Sequence, residues 1–199
     1  MDAVLDFKPQ LAAKIMEELK DFPLVLTRSL ETARTWLRRQ TRGLRRCGLM
    51  ASSGALRLRA DGIEISPTFR QGNRELYLDW FLKEPPDIRS SNQLEIAATE
   101  RECRGLELDW TGLCWGGDVV VDEKSERWLF REFDGRDWET LKASADQAEL
   151  LGRYRTLLSR AREGMVIWIP EGSEFDRTRS REDFEHTAAY LASCGVQTL

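Results

Sequence analysis

Apolar positions along this chain come in two forms, stripes at helical spacing and short continuous runs, and the two take turns. In PQLAAKIMEELK (9–20) Leu11, Ile15, Met16 and Leu19 recur at helical spacing, and FPLVLT (22–27) is an apolar run of strand length. Ser29 is placed to cap a second helix whose stripe is Leu30, Ala33, Leu37 and Leu44, with Gly43 and Gly48 punctuating its end. CGLMAS (47–52) predicts a second strand, 73–82 a helix carrying Trp80 and Phe81, and QLEIAAT (93–99) a third strand after a loop at Pro85 and Pro86. LDWTGLCW (108–115) is a fourth apolar run. Gly116, Gly117 and Asp118 then predict a turn, and segments around Val119–Val121 and Arg127–Phe133 pair as a hairpin, read as an insertion near 116–135. A helix follows from about Ser144 to Arg162, with Leu150, Leu151, Tyr154, Leu157 and Leu158 facing inward and Gly164 ending it before the strand MVIWIP (165–170). A last helix covers about 180–193. Apolar strands alternating with amphipathic helices predict an α/β fold, a mainly parallel sheet covered on both faces.

Composition narrows the class. The chain has 199 residues, a length for one folded domain, and seven tryptophans that favour a packed core over disorder. Its 30 basic and 34 acidic side chains nearly balance, but nine arginines between Arg28 and Arg59 face one acid, Glu31. Arg34, Arg38 and Arg42 recur every four residues on one helix face, so a field suited to phosphate is confined to one segment. No run approaches the roughly 18 apolar residues of a membrane span. Asp2, Asp6 and Lys8 stand where a secretory leader needs an apolar stretch, so a cytoplasmic chain is expected. Four cysteines without CxxC spacing and a lone His186 supply no zinc set, and no metal site is expected.

Several familiar chemistries fail on inspection. GLRRCG (43–48) has phosphate-loop glycine spacing, but Leu49 and Met50 stand where Lys and Ser/Thr must meet phosphate and magnesium. VVVDE (119–123) ends in the Asp-Glu of a magnesium-positioning strand, without any phosphate loop before it. A metal-dependent nuclease built on Asp87, Glu95 and Glu107 would lack its lysine, because Ala97 stands there. His186 has no Ser or Cys partner in sequence for nucleophilic chemistry.

Three stretches, in order, resemble the second-lobe motifs of superfamily-one helicases. LTRSLETAR (26–34) resembles motif IV and ends at Arg34. TERECRGLELDW (99–110) resembles motif V, matching at Thr99, Arg104, Gly105, Leu106 and Glu107, with Arg101 where many such helicases carry histidine. YRTLLSRAREGMVIWIP (154–170) resembles motif VI at Ser159, Arg160 and Ala161. From about Phe22 to Val196 the chain is similar to the Schlafen group 3-like DNA/RNA helicase domain.

That resemblance implies a RecA-like second lobe over 22–199, preceded by a helical lead-in over 1–21. It implies catalytic roles for Arg160, the finger that reaches the γ-phosphate, and for Arg34. It implies nucleotide contacts at Glu107, Gly105 and Arg104, with Glu107 accepting from a ribose, and nucleic-acid contacts at Thr99, Arg38 and Arg42. ATP and Mg are expected only in complex with a P-loop-containing first helicase lobe, supplied in cis or in trans, with DNA or RNA as the other partner. The isolated chain is expected to hydrolyse no ATP, since an arginine contributes only to a transition state that lysine and magnesium have already assembled. Two alternatives stand beside this: a stand-alone nucleic-acid-binding module using the arginine segment 34–46, with Trp110 or Trp115 stacking on bases, and, far behind, the nuclease.

Overall fold

The structure, a computed structural model, describes residues 1–19, 21–65 and 74–199. Two helices lead in, α1 (Asp2–Leu5) and α2 (Pro9–Glu18), then β1 (Leu24–Thr27), α3 (Leu30–Gln40), β2 (Cys47–Ala51), β3 (Glu64–Ile65), α4 (Arg74–Leu82), β4 (Ile96–Thr99) and β5 (Leu108–Cys114). After β5 come β6 (Val119–Asp122), β7 (Arg127–Phe133), β8 (Trp138–Thr140), α5 (Ser144–Leu158), β9 (Ala161–Trp168), α6 (Arg181–Ser193) and β10 (Gln197–Thr198). Lys20 and Asn73, ends of two helices expected from the pattern, lie outside the described residues.

Seven strands form one parallel sheet in the order β10-β1-β9-β5-β2-β4-β3. Alternate residues of each strand serve opposite faces, as the pleat requires. Val25, Leu49, Ala97, Cys114 and Val166 point to one core, which α3 covers with Ala33 and Leu37. Their neighbours Leu26, Met50, Ala98, Leu113 and Ile167 point to the other, covered by Leu150, Tyr154 and Leu157 of α5 and by Phe184 and Leu191 of α6. Ala3, Leu5 and Ala12 of the lead-in join that second core. The expected hairpin is present, Val119 opposite Phe130 and Asp122 opposite Arg127, and β8 extends it to three antiparallel strands. This is the α/β arrangement that the pattern predicted, and it is consistent with the RecA-like fold that the resemblance implied.

Two helix ends differ from expectation. α3 stops at Gln40, where the Thr41 hydroxyl donates to the Leu37 carbonyl at 2.8 Å and the backbone turns extended. Leu44 therefore leaves the apolar stripe and stands 87% exposed. α5 stops at Leu158 because side chains satisfy its last turn: Ser159 Oγ and Arg160 Nε both donate to the Thr156 carbonyl, at 2.7 and 3.1 Å. β9 then starts at Ala161, four residues sooner than the apolar run, because the chain there pairs with Leu108. Gly164 is thus a strand residue. A Cβ on it would meet Trp110 Cζ3 at 2.5 Å and the Pro23 carbonyl at 2.8 Å.

A candidate nucleotide rim at the amino edge of the sheet

β5 and β9 lie side by side and start at the same edge, Leu108 opposite Ala161. The residue preceding each strand is therefore brought to its neighbour: the Leu108 N–H donates to the Arg160 carbonyl at 3.0 Å, which sets Glu107 beside Arg160. Upstream, Leu106 N–H donates to the Cys103 carbonyl at 3.0 Å, closing a turn in which Gly105 takes φ +82°. That conformation suits glycine because it has no Cβ to clash. Arg104, Gly105 and Glu107 are exposed on this turn.

Arg160 is folded back on its own helix end. Its Nε and Nη2 reach Ser159 Oγ at 3.2 and 2.8 Å, and Nη1 reaches the Leu106 carbonyl at 3.4 Å. All these acceptors are neutral. Among the described residues no carboxylate lies within ion-pair distance of Arg160 or Arg104, whereas neighbouring Arg162 pairs with Glu107 at 3.1 Å and Arg45 with Glu163 at 2.7 Å. Two uncompensated guanidinium groups flanking an open glycine turn can receive an anion, and Glu107, whose Oε2 alone is held by Arg162, can accept from hydroxyls on Oε1.

Other expected site residues stand elsewhere. Arg34 lies on α3, over the opposite face of the sheet from α5, and its Nε is spent on the Leu94 carbonyl at 2.9 Å. Its partner Leu94 lies just before the start of β4, whereas Arg160 lies just before the start of β9. Arg38 pairs loosely with Glu31 at 3.7 Å, and Arg42 sits exposed past the helix end. Thr99 ends β4 at the carboxyl edge, 2% exposed, with N–H and hydroxyl both given to Glu102. The 100–107 segment thus crosses from the Thr99 edge to the Glu107 edge. Trp110 and Trp115 are core residues, 9% and 0% exposed, and offer no stacking platform. The nuclease carboxylates are not brought together: Asp87 pairs with Arg89 at 2.7 Å, Glu95 is exposed before β4, and Glu107 is on the rim. Among the described residues no group of three or more His, Cys, Asp or Glu is arranged to hold a metal.

A polar network at the carboxyl edge escaped sequence reasoning. Tyr154 OH donates to Asp118 Oδ1 at 2.7 Å and accepts from the Gly116 N–H at 3.2 Å, all in buried surroundings. Burial raises the Asp118 carboxyl above its ordinary range. Glu100, 5% exposed, accepts from both Ser53 N and Ser53 Oγ. The sequence signal was slight: an Asp after Gly-Gly reads as a turn, and a Tyr in an apolar stripe reads as core.

The chain is thus an α/β protein, a parallel sheet with helices on both faces and, at its amino edge, arginines without carboxylate partners among the described residues. Residues 1–171 match the family model of the Schlafen group 3 DNA/RNA helicase domain, and the chain belongs to that family. No curated protein and no solved structure matches it significantly. Among the described residues no helix is long and apolar enough to cross a membrane.

Proposed function

We propose that the chain is the second RecA-like lobe of a helicase, turning its amino-edge rim toward a nucleotide whose phosphates a separate P-loop lobe holds. The observation that supports this most is Arg160, fixed beside Glu107 by strand pairing and bonded only to neutral oxygens. A phosphate oxygen is a stronger acceptor than any of them, so the guanidinium gains by turning outward when phosphate is presented. In that position its charge offsets the charge that develops in phosphoryl transfer. Arg104 contributes a second positive charge, Gly105 lets backbone approach closely, and Glu107 accepts from the ribose on the oxygen that Arg162 leaves open. ATP and Mg bind in the paired assembly, where the P-loop lobe holds the metal; among the described residues no carboxylate cluster is arranged to do so. DNA or RNA meets the exposed Arg38 and Arg42, while buried Thr99 acts through the segment it anchors.

The test is nucleic-acid-stimulated ATPase with a P-loop lobe of the same family added in trans. Arg160→Ala should cost about 10³-fold in rate. Stimulation that survives Arg160→Ala would refute the proposal. Salt-steep nucleic-acid binding with no ATPase would favour the stand-alone binding module instead.

A further inference from the structure

The carboxyl-edge network is not used by the proposed rim, yet both elements it ties together run to that rim. Glu100, one residue beyond β4, accepts from Ser53 N at 2.8 Å and Ser53 Oγ at 2.6 Å, in the loop that follows β2. Arg153 of α5 faces the same carboxylate, Nε to Oε1 at 3.8 Å, while its Nη2 holds Glu149 at 2.8 Å. The adjacent Tyr154 is tied to Asp118 and Gly116 past the end of β5. Three strand ends are thus fastened to one turn of α5.

From Arg153 the helix runs on to its end at Leu158, and Arg160 follows two residues later, roughly 10 Å along the axis from Arg153. From Glu100 the connecting segment runs to Leu106 and Glu107. The two meet again at the rim, where Arg160 Nη1 reaches the Leu106 carbonyl at 3.4 Å and Leu108 N–H reaches the Arg160 carbonyl at 3.0 Å. Helix and segment therefore form a closed frame, joined by the Glu100–Arg153 ion pair at 3.8 Å, where Arg101 faces the same oxygen from within the segment at 3.7 Å, and by the Leu106–Arg160 hydrogen bond at 3.4 Å. A packed helix shifts as a body, so slack at one joint appears at the other.

We propose that Glu100 is a positioning residue for Arg160, setting its place on the rim through Arg153 and the rigid length of α5. The catalytic weight of this rests on the reading of Arg160 given above; the mechanical linkage does not.

The test uses the ¹⁵N-labelled full chain. Glu100→Gln keeps an acceptor for Ser53 and removes the charge facing Arg153; Arg153→Gln breaks the same joint from the other side. In each, the Leu108 amide and Arg160 Nε–H should exchange with solvent about tenfold faster, and the double variant should add little more. The Leu199 amide, which donates to the Leu26 carbonyl on the other side of the sheet, should be unchanged. With a P-loop lobe, Glu100→Gln should lower kcat with KM unmoved. Unaltered Leu108 and Arg160 exchange in a folded Glu100→Gln or Arg153→Gln variant overturns the proposal, as does equal acceleration at Leu199. Arg160→Ala without effect on ATPase would instead remove the helicase-lobe reading and leave the exchange result standing.

Discussion

Tyr154→Phe isolates one hydroxyl in a dry site. The ring stays, so its packing against Trp115, with centroids 4.5 Å apart, is kept. What disappears is the oxygen between the Gly116 N–H and Asp118 Oδ1. Tyr154 and Asp118 are both 0% exposed, so water cannot replace it. Asp118 Oδ2 already lacks a hydrogen-bond partner, and the variant would leave the whole carboxyl without Tyr154. Two buried polar groups losing a partner cost about 1–3 kcal/mol each, partly offset by the hydroxyl no longer being buried, so a net loss of about 2–4 kcal/mol is expected. For a chain of this size that lowers Tm by roughly 4–16 °C. The deficit should widen as pH rises, because the lost hydrogen bond is one of the influences that ease ionisation of Asp118. Thermal unfolding followed by circular dichroism at pH 5 and pH 8 reads both effects. A pH-independent drop of less than about 2 °C, under 1 kcal/mol on the same scale, would show that the hydroxyl is not part of a dry network.

The same carboxyl gives a second expectation. Its folded-state pKa is raised above 3.8, so its stability contribution is present in full below that pH and is lost as pH climbs through the raised value. Asp118→Asn removes this dependence, and its Tm relative to the parent should rise between pH 3 and pH 8, a span that begins below 3.8; parallel curves over the whole span would contradict the burial argument. Gly164→Ala should cost several kcal/mol, because the methyl would enter the Trp110 ring and the Pro23 backbone, which cannot yield together; an unfolding midpoint in urea near the parent's would disprove that packing. All four cysteines are buried, and burial pushes the Cys114 thiol up to about 12 and that of Cys103 higher still. They should resist a thiol reagent at pH 8 until denaturant is added, and rapid labelling of the folded chain would show the core to be open.

The order of helices and strands was legible because each buried face leaves a periodic trace. Leu150, Tyr154 and Leu157 repeat at helical spacing, and Val25-Leu26 or Val166-Ile167 run on apolar because both sheet faces are covered. What failed were ends and short strands. Leu44 kept the helical spacing, but the Thr41 cap had already terminated α3, a competition that spacing does not register. β3, β8 and β10 hold two or three residues each, too few to show any period, and exist only because a neighbouring strand supplies their hydrogen bonds.

The candidate site divides in the same way. The resemblance to the helicase motifs, not residue type alone, marked Arg104, Gly105, Glu107 and Arg160 as a set, and strand pairing between β5 and β9 does set Glu107 beside Arg160. It did not reveal that Arg34 stands on α3, over the face opposite α5, with its Nε on the Leu94 carbonyl. The apolar period of each longer element is written within a few residues and was settled by the sequence itself, whereas the ends of α3 and α5 and the place of Gly164 were not. Which edge a side chain reaches, and whether Glu100 finds Ser53 and Arg153, depends on strand order across the sheet. That order is chosen by the packing of segments far apart in the chain, and only the folded structure decides it.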